Sequence, residues 1–95
     1  MSDDTDTKAI HFDQLLTFPH LFIFRIVGYA DDTLMQRCID ALEKRLNRKI
    51  ESSEQLPSRT GRFVRIHIGL ITLNGDEIYA GYDAIKAVDG VRMAL

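Results

Sequence analysis

Leu21-Phe22-Ile23-Phe24-Arg25-Ile26-Val27-Gly28 is a run of β-branched and aromatic residues interrupted by a single charge. That density marks a strand, in which successive side chains point to opposite faces. One face carries Phe22, Phe24 and Ile26, and the other carries Leu21, Ile23, Arg25 and Val27. Arg25 decides which of them is buried, because an unpaired guanidinium in a core costs several kcal/mol. The two phenylalanines and Ile26 therefore face the core. The strand belongs to a sheet covered on one side and open on the other, which is the habit of antiparallel sheets.

Working outward from this strand, Asp31 or Asp32 is placed to cap a helix whose buried side is Leu34, Met35, Cys38, Ile39, Leu42 and Leu46 at 3.6 spacing. Cys38 falls inside that stripe and reads as an inert packed thiol. Arg37, Asp40, Lys44 and Arg45 form the solvated side. Lys49 to Gln55 is polar and weakly patterned, as an edge strand that resists pairing with other chains should be. Pro57-Ser58-Arg59-Thr60-Gly61 is turn chemistry. Phe63 to Leu73 follows as a long strand with Val64, Ile66, Ile68 and Leu70 inward and Phe63, Arg65, His67 and Gly69 outward.

Asn74-Gly75-Asp76-Glu77 has the form of a capping box, with Asn74 as cap and Glu77 reaching back. It opens a helix that buries Ile78, Tyr82, Ile85 and Val88, with Gly81 on the same face permitting close approach to the sheet. Asp89-Gly90 ends that helix, and Val91 to Leu95 forms a last short strand. Upstream, Phe12, Leu15 and Leu16 suggest a helical turn over Phe12 to Phe18, stopped by Pro19 and lying as a lid on one end of the core. Residues 1–10 read as a disordered acidic tail and residues 11–95 as a single domain.

The order strand, helix, strand, strand, helix, strand with right-handed crossovers predicts an α+β fold, a ferredoxin-like βαββαβ sandwich. Its four-stranded antiparallel sheet has the order 4-1-3-2 and both helices on one face. The expected open face exposes Leu21, Ile23, Val27 and Phe63 beside Arg25, Arg65, His67 and Arg92.

Composition removes several function classes. The whole chain carries −2, and three aspartates against Lys8 place that same −2 in the first ten residues, so the remainder is neutral. A neutral domain lacks the basic footprint of non-specific nucleic-acid binding. No apolar run reaches membrane-spanning length, and the acidic start Met1 to Asp6 is unlike a secretory leader, so cytoplasm is the expected location and no membrane partner is expected. One cysteine allows no internal disulfide and no cysteine-based metal site.

Three stretches resemble the YbeD-like family of small bacterial proteins: Phe18-Pro19 followed by Phe22, Phe24, Arg25 and Gly28; Pro57 to Phe63; and Tyr82 with Gly90-Val91-Arg92-Met93-Ala94-Leu95. The similarity covers residues 15–95. It implies an ACT-like, ferredoxin-like fold, a family of uncharacterised function and no catalytic residue to transfer. The ACT likeness implies regulation by a small ligand, although Gly28-Tyr29-Ala30-Asp31-Asp32-Thr33 is not the Asp-x-x-Gly type of turn found in ACT domains.

No phosphate loop, zinc-protease motif or nucleophile elbow is present, and His11, His20 and His67 are scattered. Asp31-Asp32 and Asp76-Glu77 sit where helix dipoles favour acids. The chain is accordingly read as no enzyme, with no metal and no cofactor. An open sheet is also how RNA-recognition motifs work, and Leu21 to Phe24 with Gly61 to Val64 loosely match their strand motifs. Stacking bases would require Phe22 and Phe24 outward and Arg25 buried, so RNA binding is the weaker alternative and a small enzyme of unknown reaction the other.

The expected function is a regulatory or adaptor module that binds a small anionic ligand or an acidic protein surface through Arg25, Phe63, Arg65, His67 and Arg92. Like charges on neighbouring strands need neutralising, either by a partner or internally by Glu51 or Glu54. The three arginines are expected close together on the helix-free face. A homodimer that covers an exposed edge or the sheet face is a further expectation.

Overall fold

Hydrogen-bonded pairing of the two apolar strands organises the molecule. The computed structural model describes residues 15–57 and 59–94. In chain order these form β1 (His20–Tyr29), α1 (Leu34–Leu46), β2 (Ser52–Pro57), β3 (Phe63–Thr72), α2 (Gly75–Lys86) and β4 (Val91–Ala94). The strands make one four-stranded antiparallel sheet in the order β2-β3-β1-β4. β1 and β3 are central and pair along their whole length, from His20↔Thr72 to Tyr29↔Phe63.

The phase inferred from Arg25 holds along β1: Phe24 and Ile26 are enclosed and Arg25 is exposed. In-register pairing then imposes the same phase on β3, whose Val64, Ile66, Ile68 and Leu70 join the core while Arg65 is exposed. Thr72 is fully buried yet satisfied, its hydroxyl donating to the His20 carbonyl at 2.9 Å. α1 contributes Leu34, Cys38, Ile39, Leu42 and Leu46, and α2 contributes Ile78 and Ile85. Met35, Tyr82 and Val88, expected in the buried stripes, are half-buried at the core margin.

Phe22, Phe24 and Tyr82 pack edge-to-face, with centroids 4.9 to 5.9 Å apart. The close approach expected at Gly81 is real, since a Cβ there would lie 2.6 Å from the Phe24 ring. Leu16 and Phe18 pack against the core. The rest of the lid expected over Phe12 to Phe18 falls partly, and the tail over residues 1–10 wholly, outside the described residues.

Several local expectations are corrected. Neither Asp31 nor Asp32 caps α1: the N-cap is Thr33, with no side-chain cap bond. The Asp31 carboxylate instead accepts from the Thr33 N–H at 2.7 Å and the Thr33 hydroxyl at 2.8 Å, closing a turn before the helix. Those hydrogen bonds, chiefly the backbone one, hold the Asp31 carboxyl below its usual range. Arg37 is more than a solvated side chain. It donates to Thr33, Asp31 and the Asp89 carbonyl, tying the loop before α1 to the loop before β4.

β2 starts at Ser52 rather than Lys49, because the preceding loop already uses its backbone groups and the Ile50 N–H donates to Glu43 at 2.9 Å. Pro57, read as turn, is the last residue of β2, where an edge strand can spare an N–H. At α2, Asn74 accepts from the Glu77 N–H at 3.0 Å as expected. Glu77 reaches back one residue further, to the Leu73 N–H at 2.7 Å, because Arg48 grips both of its oxygens.

Cys38 is completely buried, and burial pushes its thiol up to about 11. At pH 8 the native chain should therefore resist thiol reagents, with labelling complete only in denaturant. Stoichiometric labelling of the folded protein within minutes would contradict this packing. Among the described residues no helix is long and apolar enough to cross a membrane.

Candidate functional site

Both helices lie against the face that carries the core, so the alternation of the strands leaves a second set of side chains on the open face. β1 presents Leu21, Ile23, Arg25, Val27 and Tyr29, and β3 presents Phe63, Arg65, His67, Gly69 and Ile71. The edge strand β2 adds Ser52, Glu54 and Leu56, opposite Gly69, His67 and Arg65. β4 adds Arg92 and Met93.

That last pair depends on an irregularity. Val27 pairs with Met93 and Gly28 with Val91, so Arg92 is an extra residue in a β-bulge. Strict alternation from Val91 would send Met93 inward. The bulge instead turns both Arg92 and Met93 to the open face and returns Ala94 to the core. Gly28 makes room for it, since a Cβ there would stand 2.8 Å from the Gly90 carbonyl oxygen.

The expected site residues share this face and divide into two groups. Arg25 and Arg65 line one cavity of about 320 Å³ with Val27 and His67. Arg25 faces His67 across the β1–β3 pair and Arg65 faces Val27, so the two arginines are diagonal neighbours within reach of each other. Phe63 and Arg92 form the second group with Tyr29. The Tyr29 and Phe63 rings lie 5.3 Å apart, and the Arg92 guanidinium stands 5.6 Å and 5.9 Å from their centres. Arg92 also donates to the Tyr29 hydroxyl at 2.9 Å. Arg62 approaches Phe63 at 5.9 Å.

Glu54, considered as an internal neutraliser of the arginines, faces His67 instead, with 3.3 Å between carboxylate and Nδ1. Glu51 is held by its backbone, its N–H donating to the Gly69 carbonyl at 2.6 Å. Among the described residues neither Arg25 nor Arg65 forms a salt bridge. No carboxylate among the described residues therefore offsets the charge of these two arginines. Burial raises the Tyr82 phenol above its ordinary 10, opposed by the charge and backbone N–H of Arg25.

Sequence reasoning missed Tyr29, Met93 and Arg62. Extending the β1 alternation one residue past Gly28 places Tyr29 on the Arg25 face, whereas nothing in the sequence announces the bulge that exposes Met93. A wider depression of about 710 Å³ follows α2, lined by Arg45, Asp76, Tyr79, Tyr82, Asp83 and Lys86 among others. Its charges are balanced, with Arg45 paired to Asp83 at 3.3 Å, so the open sheet face is the better candidate. No group of three or more metal-ligating side chains occurs among the described residues.

Residues 13–95 match the family described as a protein of unknown function, DUF493. A UPF0250 protein of Shewanella baltica is 32% identical over 90 residues, covering 95% of this chain and 98% of its own length. A UPF0250 protein of Shewanella amazonensis is 29% identical over 84 residues, covering 88% and 94%. The solution structure of HP0495 from Helicobacter pylori superposes with a TM-score of 0.70 at 20% identity, over 84% of this chain and 85% of that one. The ACT domain of a GTP pyrophosphokinase from Chlorobium tepidum superposes at 0.61 and 17% identity, over 80% and 97%. The βαββαβ fold is thus ACT-like, and the chain belongs to DUF493, the UPF0250 proteins, a family of small bacterial proteins of unknown function.

Proposed function

We propose that the protein is a non-enzymatic regulatory or adaptor module that binds an anionic group, on a small ligand or an acidic protein surface, through its open sheet face. The observation that carries this reading is the exposed pair Arg25 and Arg65 around one cavity, with no salt bridge to a described carboxylate. Two guanidiniums so placed repel each other until an anion joins them, and Arg is well suited to paired hydrogen bonds with carboxylate or phosphate. The apolar neighbours Val27, Ile23 and Met93 add area that a partner can cover. Phe22 and Phe24, on which the RNA reading relied for stacking, point to the core, and the two rings that the open face does carry, Tyr29 and Phe63, are packed with Arg92. Superposition on a domain of a larger enzyme, the pyrophosphokinase ACT domain, is in keeping with an accessory role.

The test is the double change Arg25→Ser with Arg65→Ser. Stability should stay within about 0.5 kcal/mol or rise, as for surface positions relieved of repulsion. Thermal shifts produced by a panel of carboxylates and phosphates, and capture of acidic partners from extract, should disappear. A loss of more than about 2 kcal/mol would make the arginines structural. Turnover of any substrate that depends on one side chain would end the non-enzyme reading.

A further inference from the structure

Val27 stands at the centre of the basic end. Arg65 is directly opposite it, Arg25 lies two residues before it on the same face, and Arg92 is the bulged residue beside it. With strands ~4.8 Å apart and ~3.3 Å between residues, the three arginine Cα atoms ring Val27 at roughly 5–7 Å. Arginine side chains are longer than that spacing, so all three can turn over the valine.

The three are not equivalent. Arg92 is already oriented, its guanidinium packed near both the Tyr29 and Phe63 rings and its Nη1 donating to the Tyr29 hydroxyl at 2.9 Å. A guanidinium has five N–H donors, so one bond to Tyr29 leaves most of them for a ligand. A side chain fixed beforehand loses little freedom when it binds. Among the described strand residues on this face the one carboxylate is Glu54, and it faces His67. A second copy of the chain docked face to face would bring like arginines together, so charge selects a negatively charged occupant. The small cavity over Val27 favours a compact one over a broad protein surface.

Resting on the reading above and narrowing it, we infer that Tyr29 and Phe63 preset Arg92 as an oxyanion anchor, which with Arg25 and Arg65 grips a compact ligand carrying two phosphate or carboxylate groups. One charged group bonds to Arg92 and the other spans Arg25 and Arg65. The body between them rests on Val27 and Met93. Tyr29 is a positioning residue and makes no demand on the ligand.

Titration calorimetry at low salt tests this with inorganic phosphate, pyrophosphate and glutarate as probes. At least one of the two-group probes, pyrophosphate or glutarate, should bind about tenfold or more tightly than phosphate, since a second charged group finds its own arginine. Which of the two does so separates a phosphate ligand from a carboxylate ligand. Tyr29→Phe removes one hydroxyl and should weaken that probe about three- to tenfold with the melting temperature unchanged, while Arg92→Gln should abolish the preference over phosphate. Absence of binding by both pyrophosphate and glutarate, or affinity no better than phosphate, overturns the inference. So does full affinity in Tyr29→Phe. In each of those cases loss of an acidic partner or another anion in the Arg25→Ser, Arg65→Ser chain would leave the broader reading standing.

Discussion

Exchanging Glu77 for alanine should lower the unfolding free energy by about 2–3 kcal/mol, read from the urea midpoint at pH 7. Glu77 joins three parts of the chain. Arg48, from the loop after α1, donates to both carboxylate oxygens at 2.8 and 3.0 Å and to the Ile71 carbonyl at 2.8 Å. The Leu73 N–H at the end of β3 donates to the same carboxylate. With side chains only 25% and 21% exposed, Arg48 and Glu77 are largely withdrawn from water. Removing one partner strands a guanidinium and an N–H, and a broken buried pair costs about 3–5 kcal/mol. The residual exposure trims that figure. A loss below about 1 kcal/mol would mean that the pair behaves as an ordinary surface bridge.

The same pair sets an acid limit. Arg48, through its hydrogen bonds, holds the Glu77 carboxyl below its ordinary 4.5. A carboxylate depressed in the folded state binds fewer protons there than in the unfolded chain. Its stabilisation is complete above the unfolded value and is lost as pH falls through the folded one. The wild-type urea midpoint should therefore decline below about pH 4.5, and Glu77→Gln should flatten that part of the profile. Asp31, depressed from 3.8, continues the decline at lower pH in both proteins.

Fold and site were legible to different depths for a physical reason. One charge in an apolar strand fixes the inward face, because a slip of one residue exchanges every side chain between faces. Arg25 therefore determined the placement of Phe24, and through pairing that of Ile66 and Arg65. The contacts of Arg37 with Asp89, and of Arg48 with Glu77, join positions far apart in sequence. No local pattern encodes such contacts: Arg37 read as ordinary surface charge, and nothing around Arg48 singled it out. The partner of Glu54 depended on the register of β2, whose polar sequence has no periodicity to fix it. A two-residue shift along an edge strand was enough to leave His67 or an arginine as the neighbour.

Gly28→Ala should cost about 3 kcal/mol, at the upper end for overpacking, and should also remove the orientation of Arg92. A Cβ at Gly28 would lie 2.5 Å from Leu34 Cδ2 and 2.8 Å from the Gly90 carbonyl oxygen. Leu34 is fully buried and has little room to yield. Gly90 is backbone, and its carbonyl accepts from the Tyr29 N–H at 3.0 Å, the bond that joins β1 to the start of β4. Displacing it pulls Val91 from its pairing with Gly28, and the bulge that exposes Arg92 loses its fixed point. Stability and site should therefore fail together. At a temperature where the variant is still folded, the Tyr29–Arg92 hydrogen bond should be absent, detectable as a changed Arg92 side-chain NMR signal. A variant within about 1 kcal/mol of wild type that keeps this signal would show that the sheet accommodates a methyl group at Gly28, and that Arg92 is oriented without the bulge.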